Sequence, residues 1–257
     1  MKLAATDYDG TLYQNDTICR ANVEGVRLWR KAGNKFGVIT GRDFGMLVPQ
    51  LEHYGIEYDF TVCNNGAIIR NAKGKVVYQN CIENELLTEL ADHESLAETL
   101  HLAFSAVDCT YICREKDGSW IRRESTEWDF PIVNIEEKDI KNLKNIHQVS
   151  LGFMTPQLAL ACSEKLNKRF GSHVHAYPNR GSVDITAKDV SKRVGIENLL
   201  RAMEWQGAEI YVIGDEINDL PMIEHFGGYT VDTAREAIRK KAKESFASVG
   251  AMLTNFK

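Results

Sequence analysis

Short apolar runs alternate with helical patterns at both ends of this chain, and that alternation restricts its fold more than any other feature. In the first third, Leu3-Ala4-Ala5, Phe36-Gly37-Val38-Ile39 and Phe60-Thr61-Val62-Cys63 are separated by helical stretches over 22–32 and 43–54. Strand, helix and strand in repetition is the pattern of parallel βαβ units. Gly33 and Gly55 sit just past the helical stretches, where a left-handed C-cap ends a helix. The pattern resumes late in the chain, with helices over 192–205, 217–226 and 234–243 and strands over 209–213 and 229–231. The two ends are therefore read as one α/β domain, residues 1–81 plus 188–257.

Between them the pattern changes. After Asn64-Asn65-Gly66, the runs 67–70 and 75–78 flank Asn71-Ala72-Lys73-Gly74 and predict a hairpin. A long amphipathic stretch runs from Glu83 to Phe104, and a second hairpin is expected from 110–114 and 119–123, turning at Lys116-Asp117-Gly118. Strand-like runs over 147–154 and 173–177 flank a helix opening at Pro156, in the first-turn position that proline tolerates. Residues 82–187 thus read as an inserted α+β module. Trp120, Arg122, Arg123 and Trp128 could form a sugar or phosphate lid, but alternating Trp and Arg also describes a half-buried strand, and that reading is preferred.

Composition narrows the function classes. The chain has 257 residues, 44% hydrophobic and 26% charged, with 5 Pro. A chain of this size buries roughly 75% of its unfolded surface and needs no covalent staples. The six cysteines, Cys19, Cys63, Cys81, Cys109, Cys113 and Cys162, form no CxxC pair, so buried thiols are expected rather than zinc. His173-Val174-His175 lacks a third ligand nearby and is not read as a metal site. A net charge of −5, without a basic stripe interleaved with aromatics, argues against nucleic acid as partner. No run of about 18 apolar residues could span a bilayer. The early Asp7 does not suit a signal peptide, so a cytoplasmic location is expected, with a monomer as the default state.

Three positions share one placement. Asp7 follows the first apolar run, Thr40 the second, and Asp215 follows Ile210–Gly214. In an open parallel sheet, ligands bind beyond the carboxyl ends of the strands, where residues distant in sequence converge. That would gather Asp7, Asp9, Asp215 and Asp219, four carboxylates that repel one another unless a cation is bound. Oxygen ligands of this kind favour a hard ion such as Mg²⁺. Thr40-Gly41-Arg42 in a tight loop and Lys192 opening a helix supply a hydroxyl, exposed amides and an ammonium, the groups that hold a phosphate dianion. A carboxylate so placed can attack phosphorus, and one two residues on can protonate the leaving oxygen and then activate water. Taken singly, Asp7 and Asp9 could be turn acids and Asp215 a helix N-cap. Their joint placement with Thr40 and Lys192 favours a site.

Asp7-Tyr8-Asp9-Gly10-Thr11-Leu12 resembles the nucleophile motif of the haloacid dehalogenase superfamily of phosphohydrolases. Thr40-Gly41-Arg42, Asn64-Asn65-Gly66-Ala67, Val190-Ser191-Lys192 and Gly214-Asp215-Glu216-Ile217-Asn218-Asp219 follow in the family's order and rough spacing. The insert is similar to the large α+β cap of the Cof-type, class IIB branch. The resemblance implies a Rossmann-like, doubly wound parallel sheet with an inserted cap domain that sets specificity and closes over the substrate. It implies Asp7 as nucleophile and Mg²⁺ ligand, and Asp9 as general acid and base whose backbone carbonyl also meets the metal. Asp215 completes the protein ligands, and Asp219 supports them from close by. Thr40, Gly41, Lys192 and Asn218 would hold the phosphoryl group. Arg42 would touch substrate or pair with an acid at the rim; Asn65 would touch substrate or merely make the turn that Gly66 finishes.

The sequence departs from the family at two places. Arg193 follows the motif lysine where glycine is usual, so that Lys192 stays the best candidate with Lys188 as an alternative, and Ser248–Ala251 resembles a shortened last loop. The expected activity is a Mg²⁺-dependent phosphatase acting on a sugar phosphate or similar small phosphomonoester through an aspartyl-phosphate. The alternatives are a phosphomutase on the same scaffold and a non-catalytic protein that binds a phosphorylated ligand.

Overall fold

The computed structural model describes residues 1–257. The chain opens with β1 (Lys2–Thr6), α1 (Arg20–Lys31), β2 (Lys35–Ile39), α2 (Phe44–His53), β3 (Phe60–Cys63), β4 (Ile68–Asn71) and β5 (Val76–Gln79). It continues through α3 (Asn84–Ala91), β6 (His101–Ser105), β7 (Thr110–Glu115), α4 (Ile121–Trp128), β8 (Ile132–Asn134), β9 (Gln148–Gly152), α5 (Pro156–Phe170), β10 (Val174–Asn179) and β11 (Ser182–Ala187). The last part holds α6 (Lys192–Ala202), β12 (Glu209–Ile213), α7 (Leu220–Phe226), β13 (Thr230–Val231), α8 (Glu236–Arg239), β14 (Ser245–Phe246) and α9 (Val249–Phe256). None of these helices is long and apolar enough to cross a membrane.

Two compact units result: Met1–Gly41, Gln50–Tyr78 and Ser191–Lys257 form one, and Arg42–Pro49 with Gln79–Val190 the other. The first is built on a six-stranded sheet in the order β12-β1-β2-β3-β4-β5, in which β12, β1, β2 and β3 run parallel and β4 returns antiparallel. The fold is therefore α/β with a parallel sheet core. Leu3, Ala4 and Ala5 of β1 and Val38 and Ile39 of β2 are buried, as strands covered on both faces must be. Gly33 and Gly55 take positive φ of 83° and 66° just past α1 and α2, as the helix stops required.

The second unit carries a six-stranded sheet in the order β10-β11-β9-β6-β7-β8, antiparallel except where β8 joins β7. Leu102, Phe104, Val149, Leu151 and Ile185 of this sheet share one apolar cluster with Leu166 and Phe170 of α5. Each such side chain contributes about 1.5–3 kcal/mol by leaving water. Thr155 caps α5 by accepting from the Leu158 amide at 3.3 Å, and Pro156 occupies the first turn as expected. Arg42–Pro49 belongs here through Met46, which packs with Ala103, Ile112, Ile121 and Phe130.

Several expected elements are different. The amphipathic stretch from Glu83 to Phe104 is not one helix: α3 ends at Ala91, and His101–Ser105 is a fully buried strand. Leu102 and Phe104 join the main cluster while Ala103 lies in the smaller one, a two-residue period that a helix cannot supply. The second expected hairpin also fails. Residues 121–128 are α4, and β7 pairs with β6 and β8 instead. Arg122, Arg123 and Trp128 therefore lie on a helix and not on a strand, the two arginines exposed and Trp128 half-buried; Arg122 pairs with Glu115 and Asn134. The helix expected over 234–243 shrinks to Glu236–Arg239, and the last loop leads into α9, capped by Ser248 accepting from the Ala251 amide.

Candidate active site

Strand register sets the geometry. Thr6 of β1 pairs with Ile213 of β12 and with Val38 of β2, so Asp7, Asp215 and Thr40 leave the sheet side by side at its carboxyl edge. The Asp7 amide still bonds to the Ile213 carbonyl at 2.9 Å, which ties the first loop to the strand preceding Asp215. Gly10 then turns with φ +88°, and a Cβ there would stand 2.4 Å from the Asp215 carboxylate. Any side chain at position 10 would push the two loops apart.

Lys192 begins α6, whose N-cap Ser191 accepts from the Val194 amide. Its Nζ donates to Asp7 Oδ1 at 2.5 Å and to Asp219 Oδ1 at 2.6 Å, with the lysine side chain only 1% exposed. The other oxygen of Asp219 accepts from the amides of Asp215 and Glu216 at 3.0 Å each. Asp215 Oδ1 accepts from the Thr11 hydroxyl at 2.6 Å. Carboxylate oxygens of Asp7, Asp215 and Asp219, all buried, lie within 4.8 Å of one another.

Three carboxylates against one ammonium leave the cluster short of positive charge. Burial pushes the Asp7 carboxyl well above its usual range, Asp219 adds to the push, and Lys192 only partly opposes it. Asp215 is raised by burial, with the Thr11 hydroxyl pulling the other way and Asp219 adding to the rise. Burial alone would lower Lys192, but the carboxylates of Asp219 and Asp7 outweigh it and hold the ammonium charged. A divalent cation beside these oxygens would relieve the excess, so the donor set suits a hard metal ion.

Thr40, 1% exposed, donates its amide to the Val62 carbonyl and accepts from the Asn65 amide, both at 2.9 Å. Asn218 Nδ2 donates to Asn65 Oδ1 at 3.1 Å. Gly41 follows Thr40 at the end of the first unit's leading segment. Arg42, which groups with the second unit, pairs with Glu124 of α4 at 2.9 Å, an acid partner of the kind the sequence left open. Asp9 is half-buried and stands outside the trio of clustered carboxylates; its backbone bridges to Tyr13, whose ring stacks on Tyr8 at 5.3 Å. Lys188 is exposed, while Lys192 meets the acids. Thr11 and Glu216 had no role in the sequence reading. Both lie inside the quoted motifs, and the signal for Thr11 is a hydroxyl beside a glycine that lets Asp215 approach.

Residues 4–250 match the model of the haloacid dehalogenase-like hydrolase family, and the chain belongs to that family. Among curated relatives it is 22% identical over 250 residues to the 5-amino-6-(5-phospho-D-ribitylamino)uracil phosphatase YbjI of Escherichia coli K12, covering 95% of this chain and 89% of that one. Its fold is similar to that of the HAD subclass IIB sugar phosphatase BT4131, with a TM-score of 0.79 at 20% identity over 100% of this chain and 99% of that one. A haloacid dehalogenase-like hydrolase from B. subtilis aligns with a TM-score of 0.83 at 16% identity over 100% of both chains.

Proposed function

We propose that this hydrolase cleaves small phosphomonoesters, sugar phosphates or similar metabolites, through an aspartyl-phosphate on Asp7. The observation that carries this reading is the buried lysine bridging Asp7 and Asp219 beyond the sheet's carboxyl edge. Asp7 supplies the oxygen that attacks phosphorus as the bond to the leaving oxygen breaks. Asp9 gives that oxygen its proton, then as a carboxylate takes a proton from water. The water oxygen bonds to phosphorus, the bond to Asp7 breaks, and phosphate leaves with Asp7 regenerated. Thr40, Gly41 and Asn218 hold the phosphoryl oxygens, and Lys192 holds both the nucleophile and the developing charge. Asp7, the carbonyl of Asp9 and Asp215 would hold Mg²⁺, with Asp219 fixing their loop. When bound, the ion would neutralise charge on the phosphoryl group.

Phosphate release from a panel of small phosphomonoesters, in Mg²⁺ or EDTA, tests the reading. Turnover is expected to require Mg²⁺ and to vanish in Asp7→Asn and Asp9→Asn while both variants remain folded. Turnover surviving in Asp7→Asn would overturn the nucleophile assignment. An isomeric ester in place of free phosphate would make the protein a mutase, and binding without turnover a phospholigand-binding protein.

A further inference from the structure

The turn Asn64–Gly66 is held in a costly shape. Three successive residues take positive φ, 51° at Asn64, 56° at Asn65 and 114° at Gly66, a region that L side chains enter only at a free-energy cost. The Asn64 side chain is buried, at 1% exposure, and neither its Nδ2 nor its Oδ1 has a hydrogen-bond partner. Each unpaired buried group adds a further cost. A turn kept only for stability would not carry these features together.

Contacts of the turn reach three loops of the candidate site. The Asn65 amide donates to the Thr40 carbonyl at 2.9 Å, and Asn65 Oδ1 accepts from Asn218 Nδ2 at 3.1 Å. Gly66 lies so close to the residue before Lys192 that a Cβ would stand 2.4 Å from the Ser191 carbonyl. Thr40, Lys192 and Asn218 come from loops far apart in sequence, and this one turn touches all three. An amide aims where its partner holds it; with Oδ1 of Asn65 accepting, Asn218 can rotate only at the loss of that bond.

We propose that Asn64–Gly66 is a positioning turn, and that Asn65 acts on turnover through Asn218 rather than by touching the substrate. This rests on the reading of Asn218, Thr40 and Lys192 as phosphoryl ligands. Glycine at position 65 separates the amide from the backbone, because it accepts positive φ freely and keeps the N–H that serves Thr40.

The test compares the intact protein with Asn65→Gly, Asn218→Ala and the double variant, measuring phosphate release and thermal melting. Asn65→Gly is expected to lower kcat about tenfold, to change KM less than threefold and to melt within a few degrees of the parent. Asn218→Ala is expected to cost at least as much. In that background Asn65→Gly should cost nothing further, because the group through which it acts is gone. A second loss of similar size in the double variant would overturn the proposal and make Asn65 a substrate contact. Full turnover in Asn65→Gly would overturn it as well. No phosphate release from the parent protein would instead bring down the phosphatase reading, and this proposal with it.

Discussion

Asp7, Asp215, Asp219 and Lys192 are buried together in the first unit, whereas the second unit buries Asp43 and His101 each with partners of its own. Asp43 accepts from the Thr110 hydroxyl at 2.5 Å and from the Met46 amide at 2.8 Å, where it starts α2. Burial raises its carboxyl, and the Thr110 bond partly offsets the rise. His101 has Ser119 at 3.1 Å and stays neutral because burial lowers its pKa to about 4. In the second unit Asp43 and Nδ1 of His101 find local partners while Nε2 of His101 has none, but the buried groups are single and not crowded like charges. In the first, three carboxylates are forced together around one ammonium, which is the arrangement expected where charge is kept for chemistry.

The contrast can be broken by removing members of each set. Asp7→Asn should lower turnover on the order of a thousandfold or more, since in the proposed reaction no other group supplies the attacking oxygen. Its melting temperature should equal or exceed the parent's, because a neutral amide lightens the carboxylate crowding. A sharp fall in melting temperature would show that Asp7 serves the fold as much as the reaction.

Lys192→Met leaves Asp7 and Asp219 buried without their ammonium, a loss of about 3–5 kcal/mol in urea unfolding without metal. The loss should grow as pH rises, because a raised carboxyl is tolerated only while protonated. Added Mg²⁺ should return part of the stability, and indifference to the ion would weaken the reading of the trio as its site.

For His101 the folded pKa lies below the unfolded value of 6.5, so the unfolded chain takes up a proton that the native state refuses. Stability is thus complete above 6.5 and is lost as pH falls towards about 4, by roughly 3 kcal/mol at most. His101→Gln should flatten that limb in urea unfolding across this range. An unchanged limb would place the acid sensitivity elsewhere.

Thr110→Val should cost about 2 kcal/mol, because Asp43 stays buried and loses a donor. Its effect on phosphate release should be small beside that of Asp7→Asn. A large effect on turnover would dissolve the distinction between the two kinds of burial.

Much of the first unit was legible because its strands are continuous apolar runs and its first two helices stop at glycines. The placement of the candidate site motifs was legible for a related reason: Asp7, Thr40 and Asp215 each stand one or two residues past such a run, and parallel register brings the ends of those runs together. The second unit was harder. His101–Ser105 is too short for its two-residue period to stand out from the helical stretch before it, and β7 could have turned back on 119–123 as easily as it pairs with β6. Local pattern records which side chains want burial; it does not record which strand supplies the partner.

By itself the sequence determined the parallel α/β core, and it pointed to an inserted module and to residue types suited to a phosphoryl group. Tertiary structure alone decided that Lys192 and not Lys188 meets the acids, that Asp9 stands outside the clustered carboxylates, that Thr11 serves Asp215, and that Arg42 meets Glu124. The physical reason is range. Periodicity and capping act within a few residues and leave their mark in the order of the chain. The charge balance of a buried cluster depends on atoms far apart in the chain, Thr11 and Asp215 being separated by 204 residues, and exists only once the strands have paired.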